Sequence, residues 1–308
     1  MSLLILVAGL LVAAAGALSR HATHRGDPRA WAALTSASTV AAALYVTVGL
    51  GLLAAPVWLR LVTGLSLAEA CRGLLERFEP GGIVTAWAAT GLLGLVVTVT
   101  ATRAWRSRRR RATLRIPSYV GIHEPRHGFD LVTLPTPTPL AYSLGGRYPQ
   151  AVISDGLVAR LDEAQLAAVV AHEAAHLRWR HQRWLNALDL SAGALWFVPW
   201  GRRCAEAARV ALECWADEDA AGVVGRAPLR SALLLAVDTA PIGSQIAALN
   251  GADAIAERVA MLDELTHRSG RTGPAMVALM AATTIGAAAG VAGGIPQLLA
   301  LFSHLCPL

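Results

Sequence analysis

The sequence predicts a mainly α, polytopic membrane protein of about four transmembrane helices that carry one cytoplasmic α+β domain. Three observations lead there. Hydrophobic residues make up 55% of the 308 and charged residues only 16%, with a mean hydropathy of +0.47, whereas soluble domains carry about 25% charged residues. Uncharged apolar runs of spanning length recur along the chain. The positive charge comes from arginine alone, with no lysine anywhere, and is gathered in short runs beside the apolar ones. Placement of charge is therefore more informative than the net value of +6.

Residues 2 to 19, "SLLILVAGLLVAAAGALS", are long enough to cross a hydrocarbon core. A signal peptide is disfavoured because the arginines follow the apolar run instead of preceding it. Further apolar runs cover roughly 30–56, 82–102 and 274–302. In the last, Gly293, Gly294 and Pro296 mark kink points, which spanning helices tolerate. Arginine placement then orients them. "RHATHRGDPR" holds Arg20, Arg25 and Arg29, and the stretch after the third run holds Arg103, Arg106, Arg108 to Arg111 and Arg115, so both lie in the cytoplasm. The loop after the second run balances three arginines with three glutamates, as an external loop does. Parity agrees, with both termini outside. The expected division is a three-helix membrane anchor over 1–102, a cytoplasmic domain over 103–273 and a final span over 274–308.

Within the domain, "LVTL", "LAYSL" and "AVIS" are β-type runs separated by Pro and Gly, which predicts a small sheet. Pro135, Pro137 and Pro139 lack the N–H that a ladder needs, so their segment lies at an edge or outside the sheet. A free edge could take an extended peptide as an added strand; a loop covering the core is the alternative. Next, "LDEAQLAAVVAHEAAHLRWRHQRWL" has no Gly or Pro, and Asp162 with Gln165 forms a capping-box signature, so a helix is predicted.

On that helix His172 and His176 are four residues apart and share a face, with Glu173 one residue round. Two imidazoles can hold one ion while the carboxylate reaches a water on it. A bare HExxH is weakly specific, and a catalytic zinc needs three protein ligands. His181 lies off the ligand face of a continuous helix and is assigned to the surface. Glu213 and Asp217, four apart in "ARVALECWADEDAAG", share a face of a second helix. Glu213 completes a His, His, Glu set, and Asp217 orients a ligand histidine from behind. Glu218 and Asp219 are left to solvent. The apolar "WLNALDLSAGALWFVPWG" between the two halves cannot cross the bilayer, since Glu213 would then lie on the far side from the histidines. It is expected as a buried or membrane-grazing helical hairpin, with Trp184, Trp196 and Trp200 as interfacial candidates.

The motifs "AYSLGGRYPQAVISDGLVARLDEAQLAAVVAHEAAHLRWRH", "LECWADEDA" and "IAERVAML", set between a third and a fourth span, resemble those of gluzincin membrane metallopeptidases, and within them the BlaR/MecR-type antibiotic-sensor family. The resemblance implies a gluzincin-type α+β metallopeptidase domain with His172, His176 and Glu213 as Zn2+ ligands, Glu173 as the catalytic glutamate and Asp217 as support. Sensor members carry a penicillin-binding domain after the last span, and this chain stops there. HtpX-like quality-control proteases share the motif set, though Leu140 stands where they usually have Asn before the "AY" strand.

The implied activity is zinc-dependent endoproteolysis of a protein or peptide substrate at the cytoplasmic membrane face, with a transcriptional repressor as one such substrate. The expected partners are that substrate, the lipid bilayer and a separate sensor or regulator protein. Direct nucleic-acid binding is not expected, because no recognition-helix pattern accompanies the arginines. The rival of another class is a non-cleaving, metal-stabilised receptor or scaffold. Arg209 and Arg258 are candidate oxyanion donors, but structural ion pairs are the favoured role for both.

Overall fold

Long runs rich in Ala and Leu form helices at little side-chain entropy cost, and spanning-type helices tolerate interior glycine and proline, here Pro56. The structure, a computed structural model, describes residues 2–18, 27–63, 82–117, 119–239 and 252–264. It opens with three such helices, α1 (Ser2–Leu18), α2 (Pro28–Thr63) and α3 (Gly82–Leu114). Pro28 stands at the first helical position of α2, where its missing N–H costs nothing. Two helices are long and apolar enough to cross a membrane, α2 over Pro28–Trp58 and α3 over its whole length; α1 is apolar but shorter. The expected fourth span lies outside the described residues, as does most of the loop after α2. At 1.5 Å per residue the 36 residues of α2 measure about 54 Å, against about 30 Å of hydrocarbon. One end of α2 must therefore project from any bilayer that it crosses.

Proline and glycine then break the chain into short strands, β1 (Ile122–Arg126), β2 (Phe129–Leu134), β3 (Ala141–Leu144) and β4 (Gln150–Ser154), in the sheet order β1-β2-β4-β3. β2 and β4 run parallel, with Leu131 opposite Ala151, and the outer pairs are antiparallel. Every residue of the central β4 is buried. The three prolines fall between β2 and β3, outside the ladder, as expected. β1 is an addition to the expected sheet: "IHEPR" has no apolar alternation, and Pro125 is tolerated because β1 is an edge. After β4 the short α4 (Asp155–Val158) turns tightly enough that a Cβ on Gly156 would lie 2.0 Å from the Pro137 carbonyl oxygen. Only glycine fits there.

Five longer helices follow: α5 (Glu163–Arg178), α6 (His181–Ala194), α7 (Gly201–Val224), α8 (Arg226–Thr239) and α9 (Ala252–Glu264). The capping box of α5 is formed as its sequence predicts. Asp162 Oδ1 accepts from the Gln165 backbone N–H at 2.8 Å, and Gln165 Oε1 accepts from the Asp162 N–H at 3.0 Å. Asp162→Ala is expected to destabilise the protein by about 1 kcal/mol, read as a lowered thermal midpoint. α5 ends sooner than expected. Trp179 caps it, and Arg180 adopts a left-handed conformation with φ 53°, the sole non-glycine residue with positive φ among the described residues. Such a residue costs roughly 1–2 kcal/mol and makes a sharp corner.

Residues 184–200 are not a complete hairpin: they form most of α6 and the turn after it, and the second arm is α7, which begins at Gly201. Leu195 and Val198 pack into the core shared by α1, α2 and α3, while Trp196 and Trp200 are exposed at the turn. Trp184 instead packs against a cluster of Trp31, Leu188, Leu212 and Trp215. α7 lies along α1 and the first part of α2. A Cβ on Gly16 of α1 would meet Cys204 Sγ of α7 at 2.3 Å, and Thr39 Oγ1 of α2 lies 3.1 Å from the same sulfur. α2 and the helix bearing Glu213 thus share a core, and α1 packs along the same helix.

Candidate metal centre

An Ala-rich α5 lets α7 approach closely, and the two helices cross where each carries its polar residues. Nε2 of His172 lies 3.1 Å from Nε2 of His176. Glu213 closes the triangle, with Oε2 3.3 Å from His172 Nε2 and Oε1 3.6 Å from His176 Nε2. Two bonds of about 2.0–2.1 Å at a tetrahedral angle separate ligand atoms by about 3.3 Å. Each of the three side chains offers one ligand atom within 4.8 Å of the others, so together they can hold one small divalent ion, and the nitrogen and carboxylate donors suit zinc. The histidine side chains are 11–12% exposed and Glu213 is 24% exposed, so the site opens to solvent on the Glu213 side. Glu173, next to His172 on α5, is almost buried and is not one of the three converging residues.

Behind the triangle stands a buried charged pair. Arg258 of α9 donates from Nε to Asp217 Oδ2 and from Nη2 to Asp217 Oδ1, both at 2.7 Å, and its Nη1 lies 3.4 Å from Glu213 Oε2. Asp217 Oδ1 in turn lies 2.9 Å from His172 Nδ1. Burial would raise the Asp217 pKa, but Arg258 outweighs it and holds the carboxyl down at about 2. Burial likewise disfavours a charged His172, yet the Asp217 and Glu213 carboxylates push its pKa up to about 10. Glu213 is held well below the usual carboxylate range, since His176 and His172 overcome its desolvation. An ion arriving here would displace a proton from His172, as expected where ligands must be deprotonated.

Two assignments made from the sequence change. His181 is not a surface residue: it is fully buried, with Nδ1 3.0 Å from His176 Nδ1 and its ring 4.7 Å from that of Trp215. The corner at Arg180 is the reason, because it ends the helical phase on which the surface placement relied. Burial, reinforced by His176, pushes its pKa down to about 3, so His181 is neutral. Nor is Asp219 left to solvent. Its carboxylate accepts from Arg178 of α5 and from Arg29 of α2, each at 3.1 Å, and its side chain is only 8% exposed. Glu218 also has a partner, Arg226 at 3.3 Å. The spacing that placed Glu213 and Asp217 on one α7 face says nothing of partners on other helices. Arg209 is paired, with Asp189 of α6, which Arg111 of α3 also approaches.

Comparisons with known proteins point to the same chemistry. A family model described as peptidase family M48 matches residues 104–217, a stretch that contains His172, Glu173, His176, His181, Glu213 and Asp217. A curated relative, plastoglobule-localized metallopeptidase 48, chloroplastic, of Arabidopsis thaliana, is 36% identical over 72 residues, or 23% of this chain. The matched stretch spans 21% of that relative's length. No solved structure matches the chain. The two matches support a metal-dependent protease.

Proposed function

We propose that this chain is a multi-pass membrane zinc endopeptidase that cleaves a protein substrate at the cytoplasmic face. The observation that carries the proposal is the convergence of His172, His176 and Glu213 at 3.1–3.6 Å beside a nearly buried Glu173. His172, His176 and Glu213 are the ligands, Glu173 is the general base and Asp217 orients His172. A bound Zn2+ would polarise the scissile carbonyl and lower the pKa of a water to about 7. Glu173 takes the proton of the attacking water and hands it to the leaving amine. Asp217 holds His172 so that Nε2 faces the ion. β3 is a sheet edge packed against α5, and its outer side offers backbone groups to an extended substrate. Arg209 and Arg258 are held by carboxylates, so neither is taken as the oxyanion donor.

The two apolar helices and the arginines at the end of α3 support the membrane location and the cytoplasmic orientation. Repressor cleavage within a signalling pathway is the substrate reading that the antibiotic-sensor resemblance favours, and a separate sensor protein would supply its signal. Protein quality control is the corresponding reading for the HtpX-like resemblance. One experiment tests activity and substrate together: new protein N-termini are compared by mass spectrometry in cells carrying the wild type or Glu173→Gln. Termini that depend on Glu173 support the protease, and their absence under several envelope stresses favours the non-cleaving scaffold. Separately, Glu213→Ala is expected to leave the purified protein without stoichiometric zinc, because two histidines alone do not make a three-ligand site. Full metal content in that variant would remove Glu213 from the ligand set.

A further inference from the structure

We propose that His181 is a positioning residue that fixes the tautomer and orientation of His176 through the bond between their Nδ1 atoms. The inference rests on the metal-site reading above and extends it to a residue outside the ligand set. A neutral imidazole has one ring proton, and a ligand must present its lone pair. Nε2 of His176 faces His172 and Glu213, so that nitrogen is the ligand and Nδ1 carries the proton. Nδ1–H of His176 then donates to Nδ1 of His181 at 3.0 Å, which leaves the proton of His181 on Nε2. The two ligand histidines are thus held from behind by different means, His172 by the Asp217 carboxylate and His176 by a neutral ring. Metal-bound histidines usually have an acceptor on the second nitrogen, and losing it weakens metal binding by about 10–100-fold.

A core histidine with only a packing role would be an expensive choice at this position. Among the described residues, Nε2 of His181 is buried with no hydrogen-bond partner, while Nδ1 meets His176. A buried unsatisfied donor costs about 1–3 kcal/mol, which an aromatic hydrocarbon of similar size would avoid. The corner also serves the contact. Left-handed Arg180 starts α6 at His181 and turns that side chain back under the end of α5.

The test uses the full chain in detergent, with His181→Phe, which keeps bulk and removes the acceptor, and His181→Asn, whose amide oxygen can stand near the position of Nδ1. Zinc affinity is measured by competition with a chromogenic chelator. The d–d absorption of the Co2+-loaded protein reports ligand geometry, and circular dichroism reports folding. The Phe variant is expected to bind zinc about 10–100-fold more weakly with an altered cobalt spectrum, and the Asn variant to remain within about threefold of wild type. Wild-type zinc affinity and cobalt spectrum in a folded Phe variant overturn the proposal. So does an Asn variant that is folded and as weak as the Phe variant, since bulk rather than the acceptor then matters. If the Phe variant does not fold, the Asn variant decides alone, and a tenfold loss there counts against the proposal. A wild type that binds no zinc overturns the metal-site reading as a whole, a result distinct from the others.

Discussion

Glu173→Gln is expected to keep the wild-type complement of zinc and to lose about 10²–10⁴-fold in the rate of peptide hydrolysis, the usual share of a general base. The amide has the shape of the carboxylate but cannot take a proton. Glu173 follows His172 on α5, is not one of the three converging residues, and is nearly buried. Metal retention and rate loss should therefore separate. Zinc content by mass spectrometry and cleavage of a quenched fluorescent peptide by the detergent-solubilised chain give the two readouts. Undiminished hydrolysis would remove Glu173 from the base role, and loss of zinc would place it among the groups that hold the ion.

The largest expected effect on stability comes from Arg258. Its side chain is 5% exposed and makes two 2.7 Å hydrogen bonds to Asp217, with a further contact to Glu213. Arg258→Met leaves the buried Asp217 carboxylate and the partly exposed Glu213 carboxylate with only the histidines to compensate, which is expected to cost about 3–5 kcal/mol. In a domain of this size that corresponds to a thermal midpoint lower by about 10 °C. The double variant Asp217→Asn, Arg258→Met removes both charges and should recover part of the loss. An Arg258→Met protein as stable as the wild type would show that His172 and the metal alone neutralise the pair.

Features held by local rules were legible in the sequence. Asp162 and Gln165 cap α5 because both partners lie within one turn, and the i, i+4 spacings of His172 with His176 and of Glu213 with Asp217 fix shared faces. The pairing of Arg258 with a carboxylate was expected as a type, though its partner was not. What escaped depended on chain reversals and distant partners. His181 was misplaced because nothing in "HLRWRHQ" announces a left-handed arginine: no glycine or asparagine marks the corner. Asp219 looked solvated because its partners, Arg178 and Arg29, lie 41 and 190 residues away. β1 has neither alternation nor β-branched density beyond Ile122, so pairing with β2 alone makes it a strand. His172, His176 and Glu213 could be picked out because coordination chemistry constrains residue types, and they do converge, whereas the residues around them need only be near in space.

The shared core of α2 and α7 bears on how the molecule is made. Synthesis runs from the N-terminus, so Arg29 and Trp31 leave the ribosome long before their neighbours. Asp219 follows Arg29 by 190 residues, a delay of about 10–40 s at about 5–20 residues per second. Through that interval the projecting end of α2 waits without Trp215, Leu212 and Asp219 beside it. In the proposed topology α2 has entered the bilayer by then. In that topology the proposed metal site closes only after α2 has entered the bilayer, because α7 settles on α2. Under the proposed function, proteolytic power would then arise only after the chain has entered the membrane.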